Sequence, residues 1–342
     1  MRKRVLFITY CRWTEAGDSQ YSLSFLQDLA IRYDVTLVGP MKPNMLDCEF
    51  FELQCKTGFS VRKFSLGTYS FLKPKDVLGK IGEFNFVIVD HLRSYYMLDA
   101  VDIGKETPLV YLSHNWEYKN LIENVRVSRS LISIKKAILN FGINRLEKRL
   151  HRNAIVVHAD TLGGEMRYYP MAKEPERQFV QDDKAPIIFT GNLTWYPNLN
   201  AIKSFLLPFA DKVDNNIVLI GKGGATLDIA RELEKIHRHD FIKYVHKLYP
   251  KSSGLFVVSK GGTGIKLKII NSLGHYLMIY CNEEILDSFP SEFKQRVKNV
   301  SHRIGELYAF ESNKELFRLY NKYQKATTDV IFEKIELLTK QA

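Results

Sequence analysis

The stretch LFVVSKGGTGIKLKIINSLG, residues 255–274, holds the pattern that decides the fold. Its first four residues, 255–258, are all apolar and predict a buried strand. Three glycines within residues 261–264 then allow the backbone to turn sharply and to approach a bound group, because no Cβ stands in the way. From Ile265 to Leu273 an apolar residue recurs at every fourth position, which predicts a helix. The stretch therefore predicts a strand, a glycine turn and a helix in direct succession.

Two lysines, Lys266 and Lys268, fall in the first turn of this predicted helix. The N–H groups of a first helical turn lack partners within the helix, and the helix dipole favours negative charge there. A strand, a glycine turn and a cationic helix start suit a nucleotide diphosphate. An ordinary turn with solvated lysines explains the spacing equally well, so spacing alone leaves both interpretations open.

The composition is that of an ordinary globular protein large enough for two domains. The chain has 342 residues, of which 45% are hydrophobic and 25% charged. No apolar run approaches the ~20 residues that span a bilayer, and the apolar start is broken at Cys11, which favours a first strand over a signal peptide. The four cysteines show no paired spacing. These features predict a cytoplasmic protein.

The net charge of +11 is partly concentrated between residues 119 and 152. Basic and apolar residues alternate there, as in segments that lie on an anionic membrane surface, where each cation adds about 1 kcal/mol. A solvated helix face whose apolar side belongs to the core is the alternative. Nucleic acid is not predicted as a partner, because no known nucleic-acid-binding pattern accompanies the charge.

Apolar strands alternate with helical stretches through most of the chain, which predicts parallel sheets covered on both faces. A polar stretch at 171–186 reads as a linker, and a second α/β series follows it. Short helices are predicted at 95–101 and 227–237, and strands at 61–66 and 241–245. The predicted fold has two Rossmann-like, doubly wound α/β domains facing a cleft. Their bounds are 1–180 and 181–312, and a helix in 313–342 is predicted to cross back to the first domain.

Seven short pieces of the sequence together resemble one family. They are DVTLV at 34–38, DHLRS at 90–94, HNWE at 114–117, LEKRL at 146–150, FTGNLTWYPN at 189–198, LIGKGG at 219–224 and the stretch 261–274. In this order the chain resembles the GT-B glycosyltransferases of the group 1, family-4-like type. These enzymes build bacterial surface polysaccharides and glycolipids, including lipopolysaccharide and capsule, from nucleotide sugars. The resemblance covers most of the chain.

The resemblance implies a nucleotide-sugar site in the second domain. It assigns the diphosphate to the turn made of Gly262, Thr263, Gly264, Ile265 and Lys266. Lys222 is a second candidate cation, and Gly191 with Asn192 would approach the phosphates through the backbone. Lys268, two residues further along the predicted helix, is expected to point to the surface.

Two positions depart from the family pattern. Asn271 stands where the family carries a glutamate that binds the ribose, and it can hydrogen-bond hydroxyls without charge, a loss of about 1 kcal/mol. Thr263 stands where many members carry a second glutamate, and it cannot replace a carboxylate. The alternative function is therefore a catalytically inactive GT-B-like subunit that acts as a binding partner.

In the first domain the resemblance implies that His114 touches the donor sugar and helps to position the transition state. A helix-capping or core histidine is the structural alternative. His91 and Glu117 are candidates for the acceptor side, although Glu117 can equally cap a helix. Gly17 would let the donor or the acceptor approach the first β–α turn.

The expected reaction moves a sugar from a nucleotide-diphosphate sugar to a saccharide or lipid-linked saccharide, with retention. No DxD pattern follows a strand, so neither a metal nor another cofactor is predicted, and the expected location is the cytoplasm or the inner face of the membrane. A dehydrogenase using one Rossmann half is a third reading, which the absence of GxGxxG from the first turn weakens.

Overall fold

The structure is a computed structural model of the 342-residue chain. It describes residues 2–11, 13, 17–53, 55–57, 69–71, 80–95, 107–114, 116, 118–119, 122, 125, 141–159, 166–173, 182, 184–193, 196–223, 236–239, 248–249, 251–259 and 266–341.

The chain divides into two compact units. The first comprises Met1–Pro170 together with Ala326–Ala342, and the second comprises Met171–Lys325. The sequence pattern had suggested a boundary at residue 180 and had set the tail apart as a segment of its own.

A parallel sheet forms the centre of the first unit, in the strand order β3-β2-β1-β6-β7-β8. Two further strands, β4 and β5, pair antiparallel with each other. The strands of this unit are β1 Arg4–Thr9, β2 Asp34–Gly39, β3 Glu49–Glu52, β4 Cys55–Thr57, β5 Tyr69–Phe71, β6 Phe86–Asp90, β7 Leu109–Ser113 and β8 Ile155–His158. Strand β6 is buried along its whole length, as expected for a strand covered on both faces.

Helices pack around this sheet, and one of them comes from the far end of the sequence. The helices of the unit are α1 Gly17–Arg32, α2 His91–Tyr95, α3 Phe141–Asn153 and the last turns of the C-terminal helix Lys314–Gln341. In those last turns the Phe332 ring lies 5.6 Å from the Phe25 ring of α1. Phe332 is buried, which stabilises the unit by about 2–3 kcal/mol. The C-terminal helix therefore packs on the first unit, as predicted.

The second unit contains a sheet in the order β11-β10-β9-β12-β13-β15-β14. Strands β9 to β13 are parallel, whereas β15 runs antiparallel to β13 and pairs with β14 at the edge. The strands are β9 Ile187–Thr190, β10 Ile217–Ile220, β11 Ile236–His239, β12 Gly254–Val257, β13 Met278–Asn282, β14 His302–Ile304 and β15 Leu307–Glu311. The predicted class, α/β with two doubly wound sheets, is confirmed, but the antiparallel edge was not predicted.

The helices of this unit are α4 Tyr196–Ala201, α5 Leu207–Ala210, α6 Leu267–Leu273, α7 Glu283–Leu286, α8 Ser291–Val300 and the first turns of α9 Lys314–Gln341. A π-helical turn, Ile202–Leu206, joins α4 to α5. Pro208, the second residue of α5, lacks the N–H that an α-helix needs, so the wider turn before it accommodates the proline. None of the helices in the described ranges combines the length and the apolar character needed to cross a bilayer.

One sequence prediction of local structure was wrong at its end. A helix was predicted at 227–237, but Ile236–His239 is a strand that pairs in register with β10, so sheet pairing overrides the local pattern there. Residues 227–235 lie outside the described residues, and so do residues 96–101 of the helix predicted at 95–101. The strands predicted at 61–66 and 241–245 lie outside the described residues.

Candidate functional site

Polar side chains follow three neighbouring strands of the first sheet, at the edge where parallel strands end. Strand β1 ends at Thr9, β6 ends at Asp90, and His114 comes directly after β7. Thr9 and Asp90 are partners in the β1–β6 register, so their side chains lie next to each other. All three residues are buried. The carboxyl edge of a parallel sheet is where doubly wound folds bind ligands, so this cluster is a candidate site.

Asp90 is the centre of the cluster, and four side chains donate hydrogen bonds to it, one of them the Cys11 thiol, whose Sγ lies 3.6 Å from Oδ2. Thr9 Oγ1 lies 2.6 Å from Oδ2, while Ser22 Oγ of α1 and His114 Nε2 lie 3.0 and 2.6 Å from Oδ1. Burial alone would raise the pKa of the Asp90 carboxyl. The contact with His114, together with the hydrogen bonds from the hydroxyls of Thr9 and Ser22, outweighs burial and lowers that pKa below its ordinary value. Asp90 is therefore an ionised carboxylate at neutral pH.

Two histidines predicted as site residues meet in this cluster. The rings of His91 and His114 lie 5.3 Å apart, and the ring of Tyr21 on α1 stands edge-on to His114 at 5.0 Å. His91 directly follows Asp90 and has a φ of 69°, a left-handed conformation that non-glycine residues rarely adopt. Backbone strain of this kind gathers at functional sites, because the surrounding structure must hold it in place.

Two glycines bring β9 and β10 of the second sheet into close contact at their carboxyl ends. Gly191 N donates to Ile220 O at 2.9 Å, and Leu193 N donates to Lys222 O at 2.9 Å. Gly221 has a φ of +152°, and a Cβ built on it would lie 1.6 Å from the carbonyl oxygen of Gly191. Only glycine fits at this position. The contact brings together two predicted site residues, Gly191 and Lys222, and the carbonyl of Asn192, a third, accepts from Asn198 Nδ2 at 2.7 Å.

Lys268 of α6 reaches the same edge, although the sequence pattern predicted a surface lysine. Its Nζ donates to Thr190 O, the last carbonyl of β9, and lies 5.1 Å from the centre of the Phe189 ring. A Cβ on Gly191 would come within 3.0 Å of this Nζ. The surface prediction was wrong because the helix begins only at Leu267. The preceding Lys266 has φ −89° and ψ 83°, so helical spacing does not separate the two lysines.

Both lysines are partly buried, and burial changes their acidity. Burial and the charge of Lys266 lower the pKa of Lys268 to about 8. Burial also lowers the pKa of Lys266, although the charge of Glu284 opposes that effect. The ion pairs that the structure describes in the second unit use other lysines and arginines, and none includes Lys266 or Lys268. The two lysines thus lie close enough for the charge of Lys266 to act on Lys268.

The other predicted site residues lie in varied places. Gly17 is the first residue of α1, Asn271 is exposed on α6 and Lys222 is exposed after β10. Glu117, Gly262, Thr263, Gly264 and Ile265 lie outside the described residues. Within the described ranges, no three histidine, cysteine, aspartate or glutamate side chains are grouped so as to hold a metal ion.

Sequence reasoning missed several members of the two sites, among them Asp90, Ser22 and Lys268. Asp90 could have been found, because a single acid at the end of an apolar strand points to the ligand edge of a parallel sheet. Ser22 gave no signal, since it is one polar residue on a helix whose inner face is not recognisable until the sheet is known. Lys268 was discounted because the helix was expected to begin two residues earlier.

No protein-family model matches the chain, and neither does the sequence of any curated protein. Among solved structures, sucrose-phosphate synthase from Thermosynechococcus elongatus is similar, with a TM-score of 0.49 and 11% identity over 82% of each chain. The lipopolysaccharide outer core galactosyltransferase WaaB, in its apo form, has a TM-score of 0.46 and 11% identity over 81% of this chain and 79% of its own. HepE from Anabaena, in complex with UDP and glucose, has a TM-score of 0.45 and 10% identity over 83% of this chain and 81% of its own. One of these three structures is thus a galactosyltransferase by name, and another holds UDP and glucose. The roles of the residues of this chain rest on the geometry described above.

Proposed function

We propose that this chain is a glycosyltransferase that moves a sugar from a nucleotide-diphosphate sugar to a saccharide or lipid-linked saccharide. The observation that carries the proposal is the cationic pair Lys266 and Lys268 beside the contact of Gly191 with Gly221. Beside the one negative charge of Glu284, these two partly buried cations leave a net positive charge, which suits a dianionic group. The glycines leave room for that group close to the backbone.

In this reaction the bond between the anomeric carbon and the diphosphate oxygen breaks, and its electron pair stays on the leaving diphosphate. Cations fixed before the reaction stabilise that developing charge without having to reorganise, which is the most effective way to lower such a barrier. The two lysines can supply this stabilisation, so the proposal needs no metal ion at the phosphates. Lys222, exposed after β10, is proposed as a further cation for the same group.

The first unit is proposed to act on the sugar and the acceptor, through His114 and His91. The family resemblance adds retention of configuration, by a route in which the leaving phosphate accepts the proton of the acceptor hydroxyl. It also suggests a role in the synthesis of surface polysaccharides or glycolipids.

An anionic membrane surface is proposed as a further partner, because α3 carries a row of exposed cations. Arg145, Lys148, Arg149 and Arg152 are spaced at i, i+3, i+4 and i+7, so they form one stripe along the helix, and all four are exposed. We name these four residues the α3 stripe. Such a stripe adds about 1 kcal/mol per cation at an anionic leaflet, where a lipid-linked acceptor would lie.

The proposed function is tested first by the thermal stability of the protein with UDP-, GDP-, ADP- and CMP-sugars. A ligand at a hundred times its dissociation constant adds about 2.7 kcal/mol of stability. We expect a nucleoside diphosphate sugar to stabilise the protein and the CMP-sugar, which has one phosphate, to have little effect. Absence of stabilisation by every diphosphate sugar would refute the proposal.

A catalytically inactive binding subunit remains the second candidate, because Asn271 and Thr263 replace acidic residues of the family that the chain resembles. The two candidates differ in turnover. The enzyme releases free nucleoside diphosphate when a saccharide or lipid-linked acceptor is added, and slowly with water alone. The inactive subunit binds the nucleotide sugar and releases none.

A further inference from the structure

The hydrogen bonds around Asp90 determine which nitrogen of His114 carries a proton. His114 Nε2 and Ser22 Oγ both lie within 3.0 Å of the same carboxylate oxygen, and they are 3.2 Å from each other. The second carboxylate oxygen accepts from Thr9 Oγ1 and, at 3.6 Å, from Cys11 Sγ. An ionised carboxylate only accepts hydrogen bonds, so all of its partners must donate.

The proton in the Asp90–His114 contact therefore lies on Nε2. A neutral imidazole carries one proton, so the other nitrogen, Nδ1, is then an acceptor. Every hydrogen bond that His114 makes to a described residue uses Nε2, which leaves Nδ1 for a ligand. In this tautomer His114 can accept a hydrogen bond from a sugar hydroxyl through Nδ1, but it cannot donate one through that nitrogen.

We propose that Asp90 is a positioning residue that fixes the Nε2–H tautomer of His114, so that Nδ1 accepts a hydrogen bond from a hydroxyl of the bound sugar. The inference rests on the proposed function for the identity of the ligand, but the tautomer does not depend on it. It makes the pair a determinant of specificity, since a sugar must offer a donor at that position. A fluorine or an ether oxygen there meets the lone pair of Nδ1 and is rejected.

The neighbourhood of the pair fits such a role. Tyr21 stands edge-on to the His114 ring at 5.0 Å, and His91 lies 5.3 Å away on another side, so the ring has little freedom to turn. The left-handed φ of His91 occurs directly after Asp90, where β6 turns into α2. This sharp turn sets both residues at the carboxyl edge of the sheet.

The tautomer is tested by the ¹⁵N chemical shifts of the histidine rings at neutral pH, with the His114 signals identified by their loss in His114→Gln. We expect a protonated Nε2 and an unprotonated Nδ1 in the wild type. A proton on Nδ1, or on both nitrogens, would overturn the proposal. This measurement needs no ligand, so it is decisive even if no nucleotide sugar binds and the proposed function fails.

Asp90→Asn should reverse the tautomer. Its amide oxygen can keep the hydrogen bond from Thr9, which turns the amide N–H groups towards His114 Nε2 and moves the proton to Nδ1. Ser22→Ala is the matched control, because it removes a donor from the same carboxylate oxygen and leaves the His114 contact intact. We expect its tautomer to be that of the wild type. If Asp90→Asn folds and keeps the Nε2–H tautomer, Asp90 is not the group that fixes it.

The specificity is tested with UDP-, GDP- and ADP-glucose in which one hydroxyl at a time is replaced by fluorine. For the wild type we expect one fluorinated isomer to bind about tenfold more weakly than its parent, the typical effect of one lost hydrogen bond. In Asp90→Asn the same isomer should bind as well as its parent or better, because Nδ1–H can donate to fluorine. If glucose nucleotides bind but the wild type and Asp90→Asn rank the isomers alike, the proposed hydrogen bond to Nδ1 is refuted.

Discussion

Replacing Lys268 by methionine should leave the second unit at least as stable as before and at the same time weaken nucleotide binding. The pKa of this lysine falls from 10.5 to about 8 in the folded protein. The pKa difference between the unfolded and the folded state is about 2.5 units, and each unit corresponds to about 1.36 kcal/mol. Burying the charged side chain therefore lowers the unfolding free energy at pH 7 by about 3 kcal/mol. Lys268→Met removes that cost but also loses the charged hydrogen bond to Thr190 O, worth about 1.5–3 kcal/mol. The net expectation is an unfolding free energy that is unchanged or higher by up to ~2 kcal/mol.

The same cost depends on pH in a defined direction. Below pH 8 the lysine is charged in both the folded and the unfolded state, and the full cost is present. Between about pH 8 and 10.5 the folded state loses the proton first, so the contribution of this residue to the unfolding free energy rises with pH. Lys268→Met should remove that rise.

For nucleotide binding the expected sign is the opposite. A diphosphate would lose one charge-assisted contact of about 1.5–3 kcal/mol, which weakens its affinity by roughly 10- to 150-fold. Denaturation in urea gives the stability and titration calorimetry the affinity. Lys203→Met, at an exposed lysine of the same unit, is the control and should change neither. A variant that binds the nucleotide as tightly as the wild type would show that Lys268 does not contact the phosphates.

Three further predictions concern other parts of the chain. Gly221→Ala should destabilise the protein by about 2–5 kcal/mol through overpacking and strain against Gly191 O, whereas Gly82→Ala, where a Cβ would meet nothing within 4 Å, should change stability little; equal denaturation midpoints would refute the close contact. Reversing Lys148 and Arg149 of the α3 stripe to glutamate should release the protein from anionic vesicles at low salt and leave nucleotide binding intact, and a wild type that never co-sediments with the vesicles would contradict the membrane proposal. Asn271→Glu should keep or strengthen nucleotide binding if this exposed residue faces the ribose, and calorimetry showing clearly weaker binding would exclude that position.

Much of the fold could be predicted because its central strands are apolar on both faces. Val5 pairs with Val35 and with Phe86, and such continuous apolar strands between helices have few other solutions. Strand β11 was missed because Ile236–His239 carries three polar residues, and what makes it a strand is pairing with β10, which is not local information. The antiparallel strands β14 and β15 were not predicted for the same reason, since their pairing with each other and with β13 is not visible in the local sequence.

The candidate sites likewise contain residues that the local sequence indicates and residues that only tertiary packing brings together. The positions of Gly191 and Lys222 at the carboxyl edge of the second sheet could be predicted, since each follows an apolar strand within two residues. Asp90 and Ser22 could not be assigned as a pair, because 68 residues separate them and only the packing of α1 on the sheet joins them. The predicted orientation of Lys268 depended on which residue begins the helix, and helix ends are the least certain part of any sequence-based prediction.

The C-terminal helix α9 makes the first unit discontinuous in sequence. Its residues from Ala326 onward belong with Met1–Pro170, and Glu336 bonds both Lys3 and Tyr33. During synthesis the ribosome must therefore add the whole second unit before the first can be completed. At about 5–20 residues per second, synthesis of the second unit takes on the order of ten seconds. During that time the apolar surface around Phe25 is not yet covered by Phe332. A fragment that ends at residue 170 would stay in that unfinished state, and supplying residues 326–342 as a separate peptide should restore its stability.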